Sequence, residues 1–200
     1  MTKREQALAA VRKHGWTEET VQVIRPGFTR CWSEIRADEE LCALAVDTAL
    51  ALLKDAEPGG RWRAAEALGK LGDKRAVPGL IRLLKNVSPD VRWRAAYALG
   101  RIGDKRAVPA LKRALKDADP NVRWQAAWVL GELGDKRAVP ALLHALKDVN
   151  PDVRWESAWV LGELGDKRAV PALIRMLKDA DADVRGRAAE ALKKLGSEEA

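Results

Sequence analysis

Apolar residues recur at helical spacing through most of the chain. The apolar residues of one such segment are Val91, Ala95, Ala98, Leu99 and Ile102. They line a single stripe of a helix. Because successive helical residues are rotated by about 100°, Trp93, Tyr97 and Arg101 fall on the opposite side. The pattern predicts an amphipathic helix whose aromatic residues lie away from its apolar stripe.

A second, shorter apolar pattern follows each of these helices. Its apolar face in one copy consists of Val108, Leu111 and Leu115. Gly103 and Asp104 are predicted to separate the two helices. Glycine suits the left-handed residue that ends the first helix, and aspartate can cap the start of the second. Pro109 lies inside the second pattern, so we expect a short turn at 105–107, a bend, and then the main helix. The same is expected at Pro78, Pro140 and Pro171.

The two-helix pattern recurs with a period of 31 residues, as shown by Trp62, Trp93, Trp124 and Trp155. The first helices of the copies are predicted to begin near Gly60, Val91, Val122, Val153 and Val184. A period in this range is typical of a solenoid. The glycine at positions 69, 100, 131 and 162 is expected to let the next helix approach closely. The last copy has Gly186 in place of tryptophan and Lys193 in place of that glycine, as a terminal capping repeat would.

Two motifs make the repeat specific. They are Gly-Asp-Lys-Arg-Ala-Val-Pro-Ala-Leu and Asp/Asn-Val-Arg-Trp-x-Ala-Ala-x-x-Leu-Gly. Over roughly residues 45–196 the chain resembles the HEAT-like repeats named after the phycobilisome lyases, and it is similar to artificial consensus proteins built from such repeats. The resemblance implies an all-α fold, a right-handed α-α superhelix of about five two-helix repeats. It also implies that the tryptophan-bearing helices line the concave side.

The remaining segments flank this solenoid. Residues 1–40 look helical without fitting the repeat, and we interpret them as an N-terminal helical cap over the first repeat. The alternative is a separate recognition element that uses Trp16, Phe28 and Trp32. Residues 41–196 are predicted to form the HEAT-like solenoid, and residues 197–200 a frayed tail.

Composition narrows the class of protein. The chain has 200 residues and a net charge of +7, which is compatible with acidic partners. Cys31 and Cys42 are interpreted as packing residues, because two cysteines give no disulfide framework. The first 20 residues lack the apolar run of a signal peptide, and no stretch is apolar enough to span a membrane. A cytoplasmic protein without membrane contact is expected.

The candidate binding residues lie on the aromatic face of the repeat. Aromatic residues one helical turn apart share a face, and a large exposed aromatic patch marks an interaction site. The predicted set is Trp62, Arg63, Trp93, Arg94, Tyr97, Arg101, Trp124, Trp128, Glu132, Trp155, Glu156, Trp159 and Glu163. Its N-terminal half, with Lys70, is basic, whereas Glu132, Glu156 and Glu163 make its C-terminal half acidic. Indoles beside carboxylates suit a cationic group.

Structural roles compete with these assignments. Each tryptophan could instead pack against its equivalent on the adjacent helix, and the charges could be ordinary scatter. The arginines of the Val-Arg pairs are expected to bind aspartates of neighbouring turns as a structural ladder; they are Arg92, Arg123, Arg154 and Arg185, with Arg61 in this place after Gly60. The Lys-Arg pairs of the Gly-Asp-Lys-Arg turns are expected to be solvated.

Catalytic and metal chemistry are not predicted. His14 and His144 follow no ligand spacing, and no nucleophile set or phosphate loop is present. Di-iron hydroxylases built from HEAT-like repeats use His-Glu pairs at the start of such helices. The corresponding pairs here are Trp62-Arg63, Trp93-Arg94, Trp124-Gln125 and Trp155-Glu156. We therefore expect neither an enzyme nor a cofactor.

The leading hypothesis is a non-catalytic scaffold with an aromatic-lined concave groove. Its partner would be a protein, a peptide or a small ligand, with apolar area from the aromatics and orientation from the charges. One alternative is nucleic-acid binding, favoured by net positive charge and aromatic stacking and opposed by Glu132, Glu156 and Glu163. Another, which rests on the family resemblance alone, is bilin attachment or removal as in lyase subunits.

Overall fold

The computed structural model describes residues 39–54 and 58–196. Within these ranges the chain forms ten α-helices and no β-strand. The helices are α1 Glu39–Leu52, α2 Pro58–Leu71, α3 Val77–Leu83, α4 Pro89–Ile102, α5 Val108–Ala114, α6 Pro120–Glu132, α7 Val139–Ala145, α8 Pro151–Leu164, α9 Val170–Met176 and α10 Ala182–Lys194.

The short helix of each hairpin begins as the sequence predicted. A single 3₁₀ turn at Lys136–Ala138 precedes α7, in which Pro140 occupies the first turn. Proline is tolerated there because its missing N–H would have no helical acceptor. Asp135 caps the 3₁₀ turn by accepting a hydrogen bond from the Arg137 backbone N–H at 2.9 Å. The preceding Gly134 has a φ of 59°, in the left-handed region that favours glycine.

The long helices, which include the four that contain tryptophan and the last one with Gly186, begin two residues earlier than the apolar pattern predicted. Their first residues are Pro58, Pro89, Pro120, Pro151 and Ala182. In α8 the Asn150 side chain accepts a hydrogen bond from the Val153 N–H at 3.2 Å, and Pro151 follows it. An Asn cap followed by proline is a helix-start signal. The apolar stripe begins later because the first turn lies at the rim of the core.

The chain divides into two compact units, the first ending at Ile102 and the second beginning at Gly103. In the first unit, α2 packs against α1 and α4, and α3 packs against α4. In the second unit, α8 packs between α6 and α10, and the short helices α5, α7 and α9 pack on α6, α8 and α10, respectively.

The predicted apolar stripes form the core, and each short helix packs on the long helix that follows it. In the second unit, Val139 and Leu142 of α7 and Val153 and Leu161 of α8 have no exposed surface. Burying such a side chain stabilises the fold by about 1.5–3 kcal/mol. The amphipathic pattern therefore assigned the hydrophobic core correctly.

The repeated glycines lie where two long helices approach closely. A Cβ atom on Gly162 of α8 would lie 2.9 Å from the Ala191 Cα of α10, and one on Gly69 would lie 2.9 Å from the Ala98 Cα. Neither distance is compatible with a side chain unless the backbone moves. The predicted close approach is confirmed at both positions.

The predicted arginine ladder is present in the second unit. Arg123 binds Asp148 through Nε at 2.6 Å and Nη2 at 2.7 Å. Arg154 binds Asp179 in the same two-pronged way, at 2.9 and 2.7 Å. Each Nη1 also donates to two backbone carbonyls of the preceding turn. These arginines are structural, because they connect each helix start to the turn of the next repeat.

The lysines and arginines of the Gly-Asp-Lys-Arg turns are exposed, as predicted, and each arginine pairs locally. Arg168 Nη2, for example, lies 2.6 Å from the Asp166 carboxylate. The predicted N-terminal cap at residues 1–40 falls almost entirely outside the described residues. The tail at 197–200, together with Trp16, Phe28, Cys31 and Trp32, also falls outside them.

Candidate functional site

A cleft of about 770 Å³ opens in the second unit across the first turns of α6, α8 and α10. Its lining residues are Pro120, Asn121, Trp124, Asn150, Pro151, Asp152, Trp155, Asp181, Ala182, Asp183, Gly186, Arg187 and Glu190. We call it the acidic cleft. It lies on the aromatic face that the sequence singled out, and it contains two of the predicted binding residues, Trp124 and Trp155.

Four carboxylates and one guanidinium line the acidic cleft. Asp181 is engaged in capping α10, where it accepts hydrogen bonds from the Asp183 N–H at 2.9 Å and the Val184 N–H at 3.1 Å. The side chains of Asp152, Asp183 and Glu190 are exposed. Among the described residues that line the cleft, only Arg187 has a cationic side chain. The cleft therefore presents net negative charge to solvent.

Arg187 already makes a cation–π contact within this cleft. Its guanidinium carbon lies 3.9 Å from the centroid of the Trp155 ring, well inside the ~6 Å limit for such contacts. The Arg187 Nη1 atom also donates to Glu190 at 2.8 Å, one turn along the same helix. The indole of Trp155 is thus an effective platform for a guanidinium, and the carboxylate holds that guanidinium in place.

Glu156 lies buried beside the cleft. It is 2% exposed, although the sequence placed it on the outer aromatic face. The Trp124 N–H donates a hydrogen bond to its carboxyl group, and Oε1 has no hydrogen-bond partner among the described residues. Three successive residues of α8, 156–158, are buried because α8 packs against α6, α7 and α10.

This burial changes the acidity of Glu156. Desolvation raises its pKa to about 7, opposed by the positive charge of Arg187 and by the Trp124 hydrogen bond, and the nearby charge of Glu132 raises it further. A buried carboxyl without an adjacent full ion pair favours its neutral form. Glu156 therefore titrates close to neutral pH. Its neighbours Trp124 and Arg187 both line the cleft.

The first unit arranges the same face differently. Arg94 lies between two indoles, with its guanidinium carbon 4.2 Å from the Trp62 centroid and 5.2 Å from the Trp93 centroid. It also binds Glu66 at 3.3 Å. Trp62 and Trp93 therefore do not stack directly on one another, which was the alternative, because the Arg94 guanidinium lies against both rings.

The other predicted site residues have different surroundings. Trp93 and Tyr97 are parallel at 6.1 Å between ring centroids, as expected for neighbours one turn apart. Arg63 lies 5.2 Å from the Trp62 centroid, and Glu163 pairs with Lys194 at 2.5 Å. Trp62, Trp93, Trp124, Trp128, Trp155 and Trp159 are all half-buried, and Arg101 and Glu132 are exposed.

Sequence reasoning missed several lining residues of the acidic cleft. Asp152, Asp183, Arg187 and Glu190 were not selected as binding residues. A signal was available, because Arg187 follows Gly186 in the place where Arg94 follows Trp93. In the sequence, Gly186 indicates only a terminal capping repeat, because the pattern of a single helix does not show which neighbour its side chains will contact.

Within the described ranges, no group of three or more His, Cys, Asp and Glu side chains is arranged to hold a metal ion. Among the described helices, none has both the length and the apolar character needed to cross a membrane.

Helical hairpins repeated in register, with long helices packed side by side within each unit, define an α-solenoid. The pattern of the HEAT repeats family matches residues 46–117, 77–149 and 139–200. The chain belongs to the HEAT repeat family. The predicted all-α HEAT-like solenoid is therefore confirmed. No curated protein matches the chain.

Solved structures of similar fold include natural and designed proteins. The complex of CpcE and CpcF of phycocyanin lyase from Nostoc sp. PCC7120 matches with a TM-score of 0.68 and 30% identity, over 75% of this chain and 64% of that chain. The chain thus spans less than two thirds of that lyase chain. A designed armadillo repeat protein in complex with the peptide (KR)4 matches with a TM-score of 0.66 and 20% identity, over 89% of this chain and 93% of that one. An engineered protein matches with a TM-score of 0.60 and 20% identity, over 98% and 97%.

Proposed function

We propose that this HEAT repeat protein is a non-catalytic binding scaffold that takes a cationic segment of a protein or peptide partner in the acidic cleft. The observation that carries the proposal is the combination of two half-buried indoles with exposed carboxylates in one cleft of about 770 Å³. A cation over an indole contributes roughly 0.5–2 kcal/mol. The carboxylates would orient and attract the same group.

The chain's own contacts support this chemistry. Arg187 on Trp155 and Arg94 on Trp62 show that indoles of this repeat accept a guanidinium at about 4 Å. Trp124 has a carboxyl group, Glu156, where Trp62 and Trp155 have an arginine. An incoming cation at Trp124 would therefore meet an indole whose N–H is bound by a buried carboxyl group, and the negative charge would come from the exposed carboxylates of the cleft.

The expected partner is a protein rather than a nucleic acid. Phosphate groups would be repelled by Asp152, Asp183 and Glu190, because polyanions bind through released counterions at basic surfaces. The likeness to a lyase subunit solved in complex with another subunit agrees with a protein partner.

The proposal is tested with a fluorescein-labelled peptide of alternating lysine and glycine, followed by fluorescence anisotropy. The double variant Asp152→Asn with Asp183→Asn is expected to bind about tenfold more weakly, since losing two carboxylates costs about 1.4 kcal/mol. Asp90→Asn is the matched control, because Asp90 occupies the same repeat position in the first unit. Equal affinity of wild type and the double variant, with unchanged circular dichroism, would remove the acidic cleft as the binding site.

A second pair of variants tests the indoles. Trp124→Ala with Trp155→Ala is expected to weaken binding of the same peptide at least tenfold, whereas Trp159→Ala, which lies outside the cleft lining, is expected to leave it unchanged. Labelled single- and double-stranded oligonucleotides serve as the competing class. Salt-sensitive oligonucleotide binding combined with no peptide binding would replace the proposal by nucleic-acid recognition.

A second candidate function rests on the 30% identity with a chain of a phycocyanin lyase complex. By that likeness the chain would bind a bilin. The exposed carboxylates of the acidic cleft oppose the propionates of such a pigment, which is why we rank it second. An unchanged absorbance spectrum of phycocyanobilin on mixing with the protein would dispose of this candidate.

A further inference from the structure

The acidic cleft contains a gap in the repeat. Trp62, Trp93, Trp124 and Trp155 occupy one repeat position, and Gly186 occupies it in the last copy. A Cβ atom on Gly186 would have no described heavy atom within 4 Å. Open space therefore lies where an indole begins in the other copies, and Gly186 itself lines the cleft.

The first unit shows what a filled version of this position looks like. Arg94 directly follows Trp93, and its guanidinium lies between the Trp93 ring and the Trp62 ring of the preceding repeat. The guanidinium therefore has two aromatic neighbours within cation–π distance, and the two indoles come from consecutive repeats.

Arg187 occupies the position of Arg94 in the last repeat. It has the aromatic neighbour from the preceding repeat, Trp155, at 3.9 Å. The residue before it is Gly186 and not tryptophan, so the chain supplies no equivalent of the second indole that neighbours Arg94. Arg187 is nevertheless held in place by Glu190 at 2.8 Å, and its side chain is 24% exposed.

We infer that the space beside Gly186 is an aromatic subsite, in which an aromatic side chain of the partner stacks on the guanidinium of Arg187 opposite Trp155. This inference rests on the proposed function and deepens it. A guanidinium already held by an indole and a carboxylate loses little freedom when a second ring stacks on it, so preorganisation favours this position. The contact is a cation–π interaction with the partner supplying the ring.

Charge around the subsite restricts the partner further. Asp183 and Glu190 are exposed beside it and disfavour rings that carry phosphate or carboxylate groups. The same carboxylates favour basic residues next to the ring. The partner segment is therefore expected to place a tryptophan, tyrosine or phenylalanine beside lysine or arginine.

The inference is tested with two labelled peptides that differ at one position. Both alternate lysine and glycine, and one has tryptophan where the other has alanine. Wild type is expected to bind the tryptophan peptide about tenfold more tightly than the alanine peptide. Gly186→Trp, which supplies the chain's own ring, is expected to bind both peptides equally. Gly186→Ala is the matched control and is expected to keep the preference, because a methyl group leaves most of the space open.

A second measurement keeps the inference testable if neither peptide binds. In ¹⁵N-labelled wild-type protein, N-acetyl-tryptophanamide is expected to move the Arg187 Nε–H and Gly186 N–H resonances upfield by ring-current shift. In Gly186→Trp, the Arg187 Nε–H resonance is expected to stay in place. N-acetyl-leucinamide is expected to leave them in place.

The outcomes separate the inference from the proposed function. Equal binding of the two peptides by wild type overturns the aromatic subsite and leaves the proposed function standing. Failure of both peptides to bind refutes the proposed function, and the resonance shifts then decide the subsite alone. Absence of those shifts overturns it.

Discussion

Glu156→Gln is expected to stabilise the protein, by an amount that depends on pH. The pKa of Glu156 rises from an ordinary 4.5 to about 7 on folding because burial disfavours the charged carboxylate. The folded state then binds more protons than the unfolded state between these two pH values. Stability of the wild-type protein should therefore fall as pH rises through this window. Glutamine removes the charge while keeping the shape and an acceptor for Trp124.

The magnitude follows from the pKa difference. Since one pH unit corresponds to ~1.4 kcal/mol, a pKa raised from 4.5 to about 7 costs about 3 kcal/mol once the group is ionised in both states. The side chain is 2% exposed, so solvent does little to reduce this cost. The amide is sterically acceptable, because Gln125 occupies the same repeat position in α6 and is also 2% exposed.

The assay is urea unfolding of both proteins, followed by circular dichroism at several pH values. The two free energies of unfolding should be nearly equal near pH 4, where the carboxyl is neutral in both states. Their difference should grow to about 3 kcal/mol near pH 8, with the variant more stable. Asp152→Asn, at an exposed position of the same helix, is the control and should show no such growth. A difference that stays constant across this range would refute the reasoning.

Two further predictions use matched pairs within the second unit. Gly162→Ala should destabilise the protein by about 1–3 kcal/mol, since its Cβ would lie 2.9 Å from the backbone of α10. Gly186→Ala should stabilise it by about 0.5–1 kcal/mol, since its Cβ would meet no atom of the described residues within 4 Å. Urea unfolding measures both, and equal effects would contradict the close-packing argument. Arg154→Ala should cost about 3 kcal/mol because it leaves the Asp179 carboxylate, 9% exposed, without its two-pronged partner. Within the described part of the chain, Arg185 donates to two backbone carbonyls and has no two-pronged carboxylate partner, so Arg185→Ala should cost about 1 kcal/mol. A similar loss of stability for both variants would show that the Arg154–Asp179 ion pair is not the cause.

The helices and their connections could be predicted from sequence because each depends on local signals. The apolar period located the tryptophan-bearing helices, Pro140 located the break between 3₁₀ turn and helix, and Gly134 located the left-handed residue before it. These features follow from backbone sterics and from the spacing of side chains within one helix, so a single repeat contains enough information.

The arginine ladder was also predictable, although it links different repeats. The period places every Arg-Asp pair in the same relation, so the partner of Arg123 in one repeat implies the partner of Arg154 in the next. In a repeat protein, a pattern within one repeat therefore predicts contacts between neighbouring repeats.

Tertiary packing alone decided the surroundings of Glu156 and the arginines of the aromatic face. The period of one helix distinguishes a buried stripe from an outer face, but α8 has three helical neighbours and buries more than one stripe. Glu156 was therefore placed on the outer face, although it is buried against Trp124 and close to the charge of Arg187.

The sequence by itself determined an all-α repeat fold, the order of its helices and their hydrophobic stripes, because these depend on residues close together in the chain. Tertiary structure decided which charged side chain meets which indole and where the acidic cleft opens. Residues of consecutive repeats supply the two sides of the Arg94–Trp62 and Arg187–Trp155 contacts, and the distance between Arg187 and Trp155 is set by the packing of α10 on α8.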